Sequence, residues 1–100
     1  ALQPGAMSGD VDAAARDVLR RAGLGRYFSH STGHGLGLEV HEGPRLAKGQ
    51  SQRLVSGNVV TLEPGVYVKG VGGIRIEDDA VVAPGGARIL TTANREFLEL

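Results

Sequence analysis

Asn58-Val-Val-Thr-Leu-Glu63-Pro-Gly65-Val-Tyr67-Val-Lys-Gly70-Val-Gly-Gly73-Ile-Arg75-Ile-Glu77-Asp-Asp79-Ala-Val-Val82 is the stretch that decides the fold. Asn58 to Glu63 is rich in β-branched residues and reads as a strand. Pro64-Gly65 interrupts it and Val66-Tyr67-Val68 resumes it. Gly70 to Gly73 reads as a hairpin turn, and Ile74 to Val82 as one long strand. Alternate side chains of a strand share a face, so Ile74 and Ile76 should point into a core while Arg75 and Glu77 point together to the other side. Asp78-Asp79 breaks the alternation, which suggests a bulge or a local bend.

Upstream, the period is helical. Val11, Ala14, Ala15, Val18, Leu19 and Ala22 recur at the spacing of one apolar helix face. Ser8 is placed as the N-cap, Asp10 and Asp12 stand in the first turn where the helix dipole favours acids, and Gly23 is a natural stop. These signals predict a helix over residues 9–22. Ala1 to Met7 reads as the end of something that comes before, with Leu2-Gln3-Pro4-Gly5 as a turn into the helix. Ser31 to Val40 is extended and glycine-punctuated, and Arg88–Thr91 and Phe97–Leu100 read as short terminal strands. One helix followed by antiparallel strands is an α+β arrangement, with no internal linker or repeat.

Composition bounds the possibilities. The chain has 100 residues, of which 41% are hydrophobic and 22% charged, as expected of one small globular domain. The formal net charge is zero, so a nucleic-acid partner held by bulk positive charge is not indicated. No apolar run reaches membrane-span length and no signal segment is evident, which fits a cytoplasmic protein without a membrane partner. Cysteine is absent, so any transition metal would be held by His and carboxylate.

The chemistry-bearing residues are few. All three His fall between positions 30 and 41, in His30-Ser-Thr-Gly-His34-Gly-Leu-Gly-Leu-Glu-Val-His41-Glu. Gly33 and Gly35 flank His34 and allow close backbone approach around an unobstructed imidazole. Glu63 ends a β run, and Glu77 follows Arg75 on the same strand face. Taken singly, His34 could be a structural His in a tight turn, Glu63 a solvated strand end, and Arg75–Glu77 a weak surface pair. One His with two Glu is a ligand set that suits Mn, Co, Zn or Fe(II).

Three segments in order, His30 to His41, then Val60-Thr-Leu-Glu63-Pro-Gly-Val-Tyr67, then Gly73-Ile-Arg75-Ile-Glu77-Asp-Asp79, resemble the pita-bread metallopeptidases. The nearest branch is the Xaa-Pro dipeptidase (prolidase) and Xaa-Pro aminopeptidase group. The resemblance covers nearly the whole chain, from the first helix to Arg95-Glu96-Phe97 and the closing strand. It implies that residues 1–100 are the C-terminal half of a pita-bread catalytic domain, with a curved antiparallel sheet. Arg75-Ile-Glu77-Asp and Glu63-Pro-Gly-Val-Tyr67 favour the proline-specific branch over methionine aminopeptidases. Non-catalytic pita-bread modules that bind peptide or protein typically lose metal ligands, whereas this chain keeps those of its half. Both remain alternatives.

Several roles follow from the resemblance. His34, Glu63 and Glu77 match three of the family's five metal ligands, with Glu77 bridging two divalent ions. Manganese or cobalt is expected first, and zinc or iron is an alternative. The other two ligands are aspartates of the first half, and Asp10, Asp12 and Asp17 do not match them. The ions would hold a bridging water or hydroxide that attacks the bond preceding proline. Glu63 would relay a proton to the departing nitrogen, and His41 would hydrogen-bond the substrate or the oxyanion. His30 and Arg75 would lie on the substrate side, with Arg75 holding a C-terminal carboxylate or fixing Glu77. The partner implied is a peptide with proline at its second position, and the full-length protein is expected to be a homodimer. These residues alone should bind at most one ion weakly and be inactive as a peptidase.

Overall fold

The computed structural model describes residues 1–37 and 42–92, with the backbone alone for Glu42. His41 and the expected closing strand at Phe97–Leu100 lie outside the described residues.

A helix, α1 (Ser8–Arg21), is followed by a single 3₁₀ turn over Gly25–Tyr27. The strands are β1 (Gly33–Gly35), β2 (Glu42–Leu46), β3 (Val59–Leu62), β4 (Gly65–Val68), β5 (Gly72–Arg75), β6 (Asp78–Ala83) and β7 (Gly86–Ile89). A five-stranded sheet runs β2-β1-β3-β6-β7, and β4 and β5 form a separate two-stranded hairpin. All the pairings are antiparallel. The chain is thus α+β, as expected.

The helix ends as its sequence indicates. Gly23 takes φ +78°, its N–H donates to the Arg20 carbonyl, and the Leu24 N–H reaches back to Leu19 at 2.8 Å. That pair of bonds is a Schellman stop, which satisfies carbonyls the helix cannot. The start differs from expectation. Met7, not Ser8, is the capping position, and it makes no side-chain cap. Ser8 is fully buried, and its hydroxyl accepts from the Gln52 N–H at 3.2 Å, so it ties the helix to the segment before β3. The buried face also differs. Ser8, Val11 and Asp12 face inward, whereas Ala14 is exposed and Val18 is 62% exposed. A pattern that counts only apolar residues misses a face in which polar groups are buried with partners.

The core is formed by Val11, Leu46, Leu54, Val60 and Val82, with Leu2, Ala6 and Leu62 packed against it. It joins one helix turn to β2, β3 and β6. Two strand expectations are corrected. Ile74 to Val82 is not one strand: β5 ends at Arg75 and β6 starts at Asp78 in the other sheet, with Ile76-Glu77 as the bend. Ile74 and Ile76 are accordingly not core residues but are 50% and 41% exposed, lining a groove of about 200 Å³ with Leu19, Pro64 and Val66. The last described strand starts at Gly86 and ends at Ile89, two residues ahead of the expected Arg88–Thr91. β2, which contains Gly43-Pro44, was not expected. It lies at the sheet edge, where a proline without an N–H is tolerated.

Candidate active site

Three neighbouring strands converge on one point. β1 is so close to β3 that a Cβ on Gly33 would stand 1.8 Å from the Thr61 carbonyl oxygen. The Thr61 hydroxyl, fully enclosed, accepts the His34 N–H at 3.1 Å. Two residues on, just past the end of β3, the Glu63 N–H donates to the Thr32 carbonyl at 2.6 Å. These contacts lock the backbone on either side of His34 to the end of β3. The register of β1 against β2 shifts between Gly33 and Gly35, so His34 stands at an irregularity of the ladder.

The side chains follow from that backbone. His34 Nε2 lies 3.6 Å from Glu63 Oε2, with the two side chains only 12% and 15% exposed. His34 Nδ1 is 2.8 Å from the Gly35 carbonyl, so in the neutral ring the N–H sits on Nδ1 and Nε2 is the acceptor turned to Glu63. A metal-ligating imidazole is commonly fixed by this kind of backbone bond from its other nitrogen. Glu63 Oε1 faces Arg75 Nη1 at 3.8 Å, across from the end of β5. His34, Glu63 and Arg75 are therefore brought together, whereas the sequence alone set Arg75 against Glu77 or a substrate carboxylate.

Glu77 is placed differently. It occupies the bend between β5 and β6 and is exposed. Among the described residues, no group of three His, Cys, Asp or Glu side chains is gathered as a metal would require. His34 and Glu63 fit a borderline divalent ion by donor type and by orientation, as part of a larger ligand set.

His30 stands on a second wall. Its Nδ1 lies 2.7 Å from the Ser31 carbonyl and its Nε2 lies 3.1 Å from the Tyr67 hydroxyl, so in the neutral ring Tyr67 donates to Nε2. Phe28 meets His30 edge-on, with centroids 5.1 Å apart. The Tyr67 ring lies across two glycines: a Cβ on Gly73 would be 2.5 Å from Tyr67 Cδ1, and one on Gly65 would be 2.8 Å from its hydroxyl. Tyr67 was quoted within a motif but given no role. Its signal was a glycine directly opposite, since Tyr67 pairs with Gly73 across the hairpin. Thr61 and Thr32 were missed as well: a threonine within a β run such as Thr61 ordinarily reads as strand propensity alone, and Thr32 carried no signal of its own between two His.

Comparison with known proteins places the chain. The sequence model "Metallopeptidase family M24" matches residues 1–84. An Xaa-Pro dipeptidase of Pyrococcus furiosus is 44% identical over 98 residues, which is 98% of this chain and 28% of that protein. The solved Xaa-Pro dipeptidase from Bacillus anthracis superposes with a TM-score of 0.95 at 45% identity, covering 98% of this chain and 28% of its own. An X-Pro aminopeptidase from Thermotoga maritima MSB8 superposes with a TM-score of 0.91 at 44% identity, covering 95% of this chain and 27% of its own. The chain thus spans just over a quarter of the length of the relatives it matches, and the solved neighbours include prolidases of known pita-bread type.

Proposed function

Because the chain belongs to metallopeptidase family M24, we propose that the protein hydrolyses the bond preceding proline in dipeptides or at the N-terminus of longer peptides. The observation that carries this reading is His34 Nε2 turned to Glu63 at 3.6 Å while Nδ1 is tied to the Gly35 carbonyl. That arrangement presents a nitrogen and a carboxylate to one point and fixes the ring that would ligate.

His34, Glu63 and Glu77 would hold divalent ions together with carboxylates from outside this chain. Manganese or cobalt is proposed first, with zinc or iron as the alternative. When bound, such ions polarise a scissile carbonyl and lower the pKa of water enough to supply a nucleophile near neutral pH. Glu77, at the bend, would have to turn towards Glu63 to join them.

The chain's own residues do the rest. The Glu63 carboxylate accepts a proton at Oε1 or Oε2 and returns it to the departing proline nitrogen. Arg75, 3.8 Å from Glu63 Oε1, holds that carboxylate in place and offers a cation to a substrate carboxylate. His30 and Tyr67, with buried Phe28 packed edge-on against His30, form a wall on which an apolar ring can rest. His41 is proposed as a donor to the substrate or the oxyanion. Residues 1–100 are read as part of one catalytic domain in a cytoplasmic homodimer with no nucleic-acid or membrane partner. Among the described residues, no helix is long and apolar enough to cross a membrane.

Hydrolysis of Ala-Pro and Met-Gly by the full-length protein with added Mn²⁺ tests the reading. Cleavage of Ala-Pro alone is expected. Cleavage of Met-Gly alone would instead make it a methionine aminopeptidase, and cleavage of neither would leave a peptide-binding module.

A further inference from the structure

Residues 28–32, between the 3₁₀ turn and β1, form no strand, yet they deliver His30 and lead into His34. Two side chains of α1 hold alternate residues of this segment, Phe28, His30 and Thr32, and the Thr32 N–H is shared with the Leu46 carbonyl. Asp12 is 1% exposed and Arg16 is 29% exposed, and they pair through Nε and Oδ2 at 2.6 Å. Arg16 Nη1 donates to the Phe28 carbonyl at 3.1 Å and Nη2 to the His30 carbonyl at 2.7 Å. Asp12 Oδ1 accepts from the Thr32 N–H at 3.0 Å and from the Thr32 hydroxyl at 2.8 Å. The guanidinium also lies 4.3 Å over the Phe28 ring, whose edge meets His30.

This is more than a helix needs for its own stability. Burying the Asp12 carboxylate carries a desolvation cost that apolar packing would avoid, and Arg16 and Thr32 offset it. The fork of Arg16 fits the two carbonyls at alternate positions, and only a planar guanidinium with several donors can do so. Thr32, gripped by Asp12, in turn accepts the Glu63 N–H. The pair therefore touches the backbone of one proposed site residue directly and of another through a single intermediary.

We propose that Asp12 and Arg16 are positioning residues of the site: they set the place of the His30 ring against Tyr67 and of the Thr32–Glu63 junction. The inference rests on the reading of this cleft as the peptide site, but its first test needs neither metal nor substrate. In the full-length protein with isotope-labelled His and Tyr, cross-relaxation between the His30 and Tyr67 rings, 5.5 Å apart, reports the placement. Arg16→Lys keeps the charge beside Asp12 but cannot hold both carbonyls. Thr32→Val keeps shape and removes one bond to Asp12.

The expected result is loss of the His30–Tyr67 signal in Arg16→Lys and its weakening in Thr32→Val, with Val60 and Val82 methyl shifts unchanged. Asp17→Ala, which breaks the exposed pairs of the same helix, should leave the signal intact. If Arg16→Lys does not fold, Thr32→Val decides. A wild-type signal in a folded variant, even one that melts earlier, would overturn the proposal, because a purely structural pair lowers stability without moving the ring. On Ala-Pro, Arg16→Lys should lower kcat/KM by about tenfold or more. Loss of the ring signal in a protein that never cleaves Ala-Pro would keep the positioning role and defeat the functional reading.

Discussion

Gly33 and Thr61 are in contact through backbone alone: the space for a side chain on Gly33 is filled by the Thr61 carbonyl, 1.8 Å from where a Cβ would lie. The carbonyl cannot yield without opening β1 from β3. Gly33→Ala should therefore destabilise the protein by at least about 3 kcal/mol, the upper end of overpacking effects. Denaturant unfolding measures this. A loss below about 1 kcal/mol would mean that the strands are further apart than described.

Thr61 holds His34 from the other side. Thr61→Val keeps the volume but removes the acceptor of the His34 N–H. A buried donor that loses its acceptor costs about 1–3 kcal/mol. Metal affinity should fall by about tenfold, as for other groups that orient a ligand. Calorimetry with Mn²⁺ on the full-length variant checks the second effect, and unfolding checks the first.

Tyr67 is fixed by glycines and by one hydrogen bond. Tyr67→Phe removes the bond to His30 Nε2 and, at a partly exposed site, should cost about 1 kcal/mol or less. Gly73→Ala should do more, since its Cβ would meet the ring at 2.5 Å and must displace it. The nitrogen shifts of His30 should change in both variants. An unchanged His30 in Gly73→Ala would show that the ring can be accommodated elsewhere.

Asp17 gives a pH signature away from the site. The Arg21 guanidinium, and then that of Arg20, hold its carboxyl below the ordinary carboxylate value of 3.8. A depressed carboxylate stabilises the fold above its unfolded-state pKa, and that contribution is lost as pH falls through the folded-state value. The group is exposed, so the effect is small and screened by salt. Carboxyl-carbon titration should place its midpoint below 3.8 at low salt and move it upward as salt is added.

The sequence made the turns and the helix end legible, because Gly23, Gly70 and Gly85 occupy conformations that other residues avoid. The order of strands β3, β4 and β5 was legible for the same reason. The broken alternation at Asp78-Asp79 hinted at a bend, but the chain leaves one sheet for the other just before it, at Ile76-Glu77, where the alternation is still intact. The helix face was misread because Asp12 is buried by virtue of partners 20 residues away, which no local period reveals. His34, Glu63 and Arg75 were nominated by order and type, and their meeting depends on the Gly33–Thr61 approach. That approach is a property of paired strands and is invisible in either one alone.

The most direct measurement is a calorimetric titration of Mn²⁺ into the 100-residue chain and its His34→Ala variant at neutral pH. Weak binding of at most one ion per chain, abolished by His34→Ala, is the expected result for His34 and Glu63 as part of a larger metal site. Tight binding of two ions, or binding that His34→Ala leaves unchanged, would contradict it.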